Sequence, residues 1–279
     1  MTDPPPGAFP PAEEPPRSAH GGRRGRTALA ALLWLALRMA VACGGTQATE
    51  PGAEGSIDLL RLAGATSYRA WMEREGWEDR RPSSSSARRF AIEGGALRLE
   101  SAGDSFLIGR SLPEGERPAL AEWPFLRFEV RLAAVPRGAR LEGEARDDAA
   151  FRLYAILRDD PLQALVYVWS WSLEVGSWSR RDRSLWGDFR GVHRKSFGRG
   201  PPPEGWLTVE VDLRRDFRAR FPGEPLPRLG GVALKADSNH TPGERSLAWL
   251  RAAGLHRASL REAGHAEGAR LGDAVLWFR

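Results

Sequence analysis

Along most of the chain, apolar and polar residues alternate with a period of two, the mark of strands with one covered face. In FLRFEVRL (125–132), Leu126, Phe128, Val130 and Leu132 share a side, and Arg127, Glu129 and Arg131 take the other. In AFRLYAIL (150–157), Phe151, Leu153, Ala155 and Leu157 oppose Arg152, Tyr154 and Ile156. In WLTVEVDL (206–213), Leu207, Val209, Val211 and Leu213 oppose Thr208, Glu210 and Asp212. In GVALKAD (231–237), Val232 and Leu234 oppose Lys235 and Asp237. ALVYVWSW (164–171) is ambiguous: either Tyr167 and Trp169 or Val166 and Val168 form the inward set. RFAIEGGALRLES reads as a hairpin turning at Gly94-Gly95, and SFLIGRSL (105–112) as a further strand. Weaker strand signals cover 187–197, 248–250 and 274–278. The helical period shows twice, at 56–75, with Ser56 as cap and a break at Gly64, and at 214–221.

Many short strands punctuated by turns, with few helices, predict a mostly β fold: an antiparallel β-sandwich of jelly-roll type with a few short helices. The strand pattern starts at residue 90, so 90–279 is the expected sandwich domain and 56–89 a helical and loop extension before it. Residues 43–55 are small and polar, a linker. Residues 1–42 have the layout of a signal peptide with a Pro-rich n-region. Arg23, Arg24 and Arg26 flank a short apolar run from Ala28 to Leu37, and Ala40-Val41-Ala42 is a small-residue cleavage box. The run is shorter than the roughly 20 residues a spanning helix needs. Cleavage after Ala42 would leave Cys43, the one cysteine, at a new N-terminus open to lipidation. The expectation is an exported protein of the periplasm or cell surface, touching a membrane only through such a lipid anchor.

The 279 residues carry a net charge of +5, of which the first 43 hold +2 from five arginines and three acids. The remaining charges interleave in sign, which argues against nucleic acid as a partner. Only Lys195 and Lys235 are lysines; every other cationic side chain is Arg. Eleven Trp against three Tyr calls for aromatic core or stacking surfaces.

If the polar faces of the strands belong to one sheet, Arg127, Glu129, Arg152, Tyr154, Tyr167, Trp169, Glu210, Lys235 and Asp237 come together. Such a face suits a sugar, since flat aromatics stack on pyranose rings while carboxylates and Arg bond hydroxyls. The plainer reading is a solvated face with cross-strand ion pairs.

The order of motifs resembles a bacterial family, domain of unknown function three-zero-four-seven. The resemblance runs from about Phe90 to Phe278 on FLRFEV, RDDAAFRLYAIL, LVYVWSW, VDLRRDFRARFPGEPLPRLGGVALKADSNHT and LGDAVLWF. Its most specific part runs from Asp147-Asp148 to Tyr154. Asn239 and His240 stand where the family pattern has Asp and Asn, and HRASLREAGHAEGA (256–269) looks like an insertion. The resemblance implies a secreted β-sandwich and supplies no activity.

Three function classes follow. The first is a noncatalytic carbohydrate- or envelope-glycan-binding sandwich, with polysaccharide or cell-envelope components as partners. The second is a polysaccharide lyase or glycosidase on the same face. The Arg127-Glu129-Arg131 strand looks like one in jelly-roll alginate lyases, and a glycosidase would pair Glu210 with Glu129 or Asp237 at about 5–10 Å. The third is a structural envelope lipoprotein without a small ligand. No cofactor is expected: the five His lack zinc spacing. Asp147, Asp148, Asp237 and Asn239 could offer oxygens to Ca²⁺, against the favoured reading of strand-start and turn acids. Trp178 and Trp186 sit in a basic segment that reads as a lid or partner surface.

Overall fold

Each alternating segment became a strand, and together they make two sheets packed face to face. The computed structural model describes residues 55–80, 89–141, 147–159, 162–184, 187–260, 269–271 and 274–278. The expected signal peptide, Cys43 and Trp186 lie outside them, as do parts of the linker, of the serine-rich loop and of the insertion before the last strand. The described residues belong to one compact unit, Thr49–Arg279. None of their helices is long and apolar enough to cross a membrane.

In chain order the strands are β1 Ser56–Asp58, β2 Glu78–Asp79, β3 Phe90–Glu93, β4 Ala96–Ala102, β5 Ser105–Ser111, β6 Phe125–Ala134, β7 Ala149–Asp159 and β8 Leu162–Ser170. There follow β9 Trp178–Ser184, β10 Gly187–Arg199, β11 Leu207–Asp212, β12 Gly231–Asp237, β13 Arg245–His256, β14 Ala269–Leu271 and β15 Ala274–Phe278. Helix α1 spans Tyr68–Glu75 and α2 spans Leu213–Arg220. The first sheet runs β14-β15-β11-β6-β13-β4-β3, with β1 also on β13. The second runs β2-β5-β12-β7-β8-β10-β9. Neighbours are antiparallel except β8 and β10, which are parallel. This is the expected jelly-roll type of sandwich.

The inward set is the one the alternation marks. Phe128 and Val130 of the first sheet face Phe151, Leu153 and Phe197 of the second, all at most 1% exposed. Phe128, Phe151, Phe197 and Trp169 form an aromatic cluster with centroids 5.2–6.2 Å apart. Burial of each such side chain contributes about 1.5–3 kcal/mol. The ambiguous strand resolves with Tyr167 and Trp169 inward. Gly198 in β10 lies directly under the Trp169 indole, where an added Cβ would overlap the ring. The register of β10 against β8 shifts at that place, between Ser196 and Gly198.

Two stretches depart from expectation. The segment 56–75 is not one helix. Ser56–Asp58 pairs antiparallel with 254–256, and the Asp58 carboxylate accepts from the Leu60 and Arg61 amides, turning the chain. Arg61 has φ 52 and Gly64 φ 69, both outside helical space. The helix starts only where Ser67 caps it, accepting from Ala70 N at 3.3 Å, and stops at Gly76. Leu59, Leu60 and Leu62 are core residues, but of a turn and not of a helix face. Since β1 joins one sheet and β2 the other, the segment drawn from sequence as an extension is part of the sandwich. Likewise, the basic segment around Trp178 is an edge strand, β9, antiparallel to β10.

Candidate functional site

The polar residues expected on one face are separated by the sandwich into three places. Arg127, Glu129 and Glu210 lie on the outer face of the first sheet. There the Arg127 guanidinium pairs with Glu210 at 2.6 Å and donates to His256 Nδ1 at 3.2 Å. Glu129 pairs with Arg251. Arg152, Tyr154, Lys235 and Asp237 lie on the outer face of the second sheet, where β12 pairs with β7 as Lys235 opposite Arg152. Tyr167 and Trp169 point inward at 0% and 4% exposure. This corrects the single-face expectation: the period-two pattern sorts residues by side within a strand but does not say which strands share a sheet. Tyr167 and Trp169 are closed to a sugar ring. The carboxylate pair Glu210 and Asp237 stands on opposite outsides of the sandwich, too far apart for one bond.

Around Tyr167 the core holds charge. Its hydroxyl donates to Asp216 Oδ2 at 2.9 Å, and Lys195 Nζ donates to Asp216 Oδ1 at 2.9 Å. Asp216 sits on α2, whose first turn is capped by Asp212 accepting from Arg215 N. Burial, then the Asp216 carboxylate, pushes the Tyr167 phenol well above its ordinary range. It stays a donor at any physiological pH.

The second cluster is built where β7 begins and β12 ends, by two of the five segments that carry the resemblance. Asp147 and Asp148 are 1% and 0% exposed. Asp147 receives Arg194 at 3.3 Å and Arg152 at 3.8 Å. Arg152 also lies 3.7 Å from Asp237, which Lys235 bonds. Burial alone would raise the Asp237 pKa, but Lys235 and Arg152 outweigh it and hold the carboxyl below its usual range. Burial alone would depress Arg152, and Tyr154, Asp147 and Asp237 outweigh that in turn. Asp148 accepts from the backbone N of His240 at 3.0 Å and from Thr241 Oγ1 at 2.7 Å, and His240 Nδ1 lies 3.2 Å from its other oxygen.

The donor atoms of Asp147, Asp148 and His240 lie within 4.8 Å of one another, a spacing a cation would fit. The expected oxygen donors Asp147, Asp148 and Asp237 do converge here, while Asn239 turns its amide nitrogen to Asp237 and Asp148. Three cationic side chains, Arg152, Arg194 and Lys235, converge with them, so the positive charge that the acids require is supplied by the protein. What the cluster visibly does is mechanical. Asp148 ties down the turn 238–244, which continues into β13.

The far end of that turn lines a cleft of about 370 Å³ across the end of the sandwich. Its floor is the end of β6, Ala133 to Val135. Trp171, Pro201 and Pro202 line it together with Arg137, Glu244 and Arg245. Trp171 follows β8 and the prolines follow β10. The two loops are locked together, since Gly200 N donates to Ser170 O and Trp169 Nε1 donates to Gly200 O, both at 3.0 Å. Trp171 is half-buried, and the Arg137 guanidinium lies 5.7 Å from its ring centroid. Glu244 accepts from the backbone amides of Arg137 and Gly138, fixing the loop that carries Arg137. An aromatic side chain, two rigid prolines and two guanidinium groups thus line a volume within the range of small-molecule sites.

Sequence reasoning missed this cleft, because its parts come from four separate loops and strand ends. The signals present were Trp171 at a strand end, the Pro201–Pro203 run and the acids Asp147 and Asp148, read as strand-start and turn acids.

A family model described as "Protein of unknown function (DUF3047)" matches residues 76–252. The comparison with curated proteins gave no match. Among solved structures, the family 11 xylanase from Neocallimastix patriciarum overlaps 60% of this chain and 80% of its own, at 13% identity and TM-score 0.31. A mutant of the ENZbleach xylanase overlaps 76% and 96%, at 12% identity and TM-score 0.37. The agarase AgWH50C overlaps 74% and 25%, at 9% identity and TM-score 0.32. Overlaps this loose carry no argument about activity.

Proposed function

We propose, for a chain that belongs to the DUF3047 family, a noncatalytic carbohydrate-binding role exercised by the Trp171 cleft. The observation that carries this reading is the half-buried Trp171 in the lining of a cleft of about 370 Å³ that it shares with Arg137, Glu244 and Arg245. Pyranose rings present apolar C–H faces to an aromatic ring and hydroxyls to Arg and Glu around it. The prolines and the locked loops hold the walls before a ligand arrives, which lowers the ordering cost of binding. The buried acids 147–148 support the same reading, since Asp148 anchors the turn that ends in Glu244 and Arg245. Among the described residues lining the cleft, Glu244 is the one carboxylate, and two backbone amides occupy its oxygens. Glycoside hydrolysis uses a pair of carboxylates, so binding suits this cleft better than cleavage.

A glycan array probed with the intact protein tests the reading. Trp171→Ala should weaken retained glycans at least tenfold, a loss of about 1.4 kcal/mol, with the melting temperature unchanged. Glycan retention that is indifferent to Trp171→Ala sinks the proposal.

A further inference from the structure

Resting on that reading, we infer that the ligand of the Trp171 cleft is an acidic saccharide, carrying a carboxylate or sulfate on the sugar ring that meets Trp171. Among the described residues lining the cleft, the charges are two guanidinium groups, Arg137 and Arg245, and one carboxylate, Glu244. Glu244 is turned to the Arg137 and Gly138 amides, one on each oxygen, so part of its accepting capacity is used by the loop. Arg245 is 60% exposed, and its nearest ion pair is a loose one, 3.9 Å to Glu100 Oε1. Glu100 is already held by Arg98. Arg137 is exposed, and its guanidinium lies over the Trp171 ring, 5.7 Å from the centroid. A ring stacked on Trp171 therefore brings an exocyclic acid group within reach of Arg137, where a guanidinium bonds a carboxylate or sulfate through two parallel N–H donors. A neutral sugar would leave both guanidinium groups without an anionic partner in the cleft. This is not a basic surface in general: the charge of the rest of the chain is interleaved in sign.

The test is calorimetric titration of the intact protein with tetragalacturonate and with its fully methyl-esterified form, beside an array that holds both acidic and neutral glycans. The ester keeps the ring faces and removes the charge. The expected result is binding of acidic glycans that falls about tenfold or more on esterification and weakens as salt rises. Arg137→Gln should bring acid and ester to similar affinity. Because Arg137 and Arg245 are exposed, Arg137→Gln and Arg245→Gln are measured in a folded chain, with an unchanged melting temperature as the check. Neutral glycans bound as tightly as acidic ones, still dependent on Trp171, would overturn the acidic ligand and leave the carbohydrate reading standing. An array with no Trp171-dependent retention of either kind overturns both. Trp171→Phe, which keeps an apolar ring, covers the case in which Trp171→Ala fails to fold.

Discussion

Only two cationic side chains of this chain are lysines, and both are buried: Lys195 at 1% and Lys235 at 7% exposure. Each meets a buried aspartate, Asp216 or Asp237. An ammonium is a compact point charge, and a guanidinium is a broad planar fork. Among so many arginines, a lysine marks a position where only the smaller cation packs. That signal stands in the sequence, and the period-two pattern is blind to it. It locates the Tyr167–Asp216–Lys195 group, for which alternation left the side of Tyr167 open. Removing one member leaves charge behind in the core. Asp216→Asn should cost about 3–5 kcal/mol of stability, read in a urea melt. Replacing the group by apolar residues of similar size, Tyr167→Phe, Lys195→Met and Asp216→Leu together, should recover most of that loss. A silent Asp216→Asn would show the group to be dispensable.

At the scale of elements, the strands were legible because each buries one face, and burial writes a period of two into the sequence. Helix α2 was legible as the helical stretch 214–221, although Asp212 and Leu213, its cap and first residue, were read as strand. The short edge strands β1, β2, β9 and β14 were not, since edge strands need no continuous apolar face. The length of β13 was also hidden. Its register shifts between Leu250 and Ala252 break the alternation that would have shown it. The end of β13 carries a pH-dependent contact. His256 Nδ1 accepts from Arg127, an arrangement that requires the neutral ring, and Glu210 holds the following segment through Leu260 N at 2.8 Å. Burial, then the Arg127 charge, lowers the His256 pKa from 6.5 to about 4. The folded state therefore takes up its proton later than the unfolded one. Above about pH 6.5 the histidine is neutral in both states and makes no difference. As pH falls from there to about 4, only the unfolded chain gains the proton, and stability drops. Below about 4 the loss is complete. His256→Gln should flatten the melting temperature against pH within that window, and an unaltered slope would contradict the assignment.

For the whole molecule, the sandwich class could be read from the sequence, but the assembly of its faces could not, because strand order is a long-range property. The N-terminal segment shows the consequence. The family match begins at residue 76 and the alternating pattern at residue 90, yet the sheets do not begin there. Strand β1 completes one sheet against β13, and β2 completes the other against β5. Between them Leu59, Leu60, Trp71 and Trp77 enter the common core at 1%, 2%, 0% and 4% exposure. Trp71 Nε1 donates to Leu60 O at 2.9 Å, closing this segment on itself under the sheets. Four such side chains at about 1.5–3 kcal/mol each amount to much of the roughly 5–15 kcal/mol that holds a domain together. A chain starting at residue 89 should therefore lose its cooperative thermal transition, while one starting at residue 49 should keep it, with circular dichroism melts as the readout. If the shorter chain melts cooperatively at the same midpoint, the segment is an appendage after all. If it does not, the folding unit reaches beyond the span that defines the family, and binding studies on the Trp171 cleft must use the longer chain.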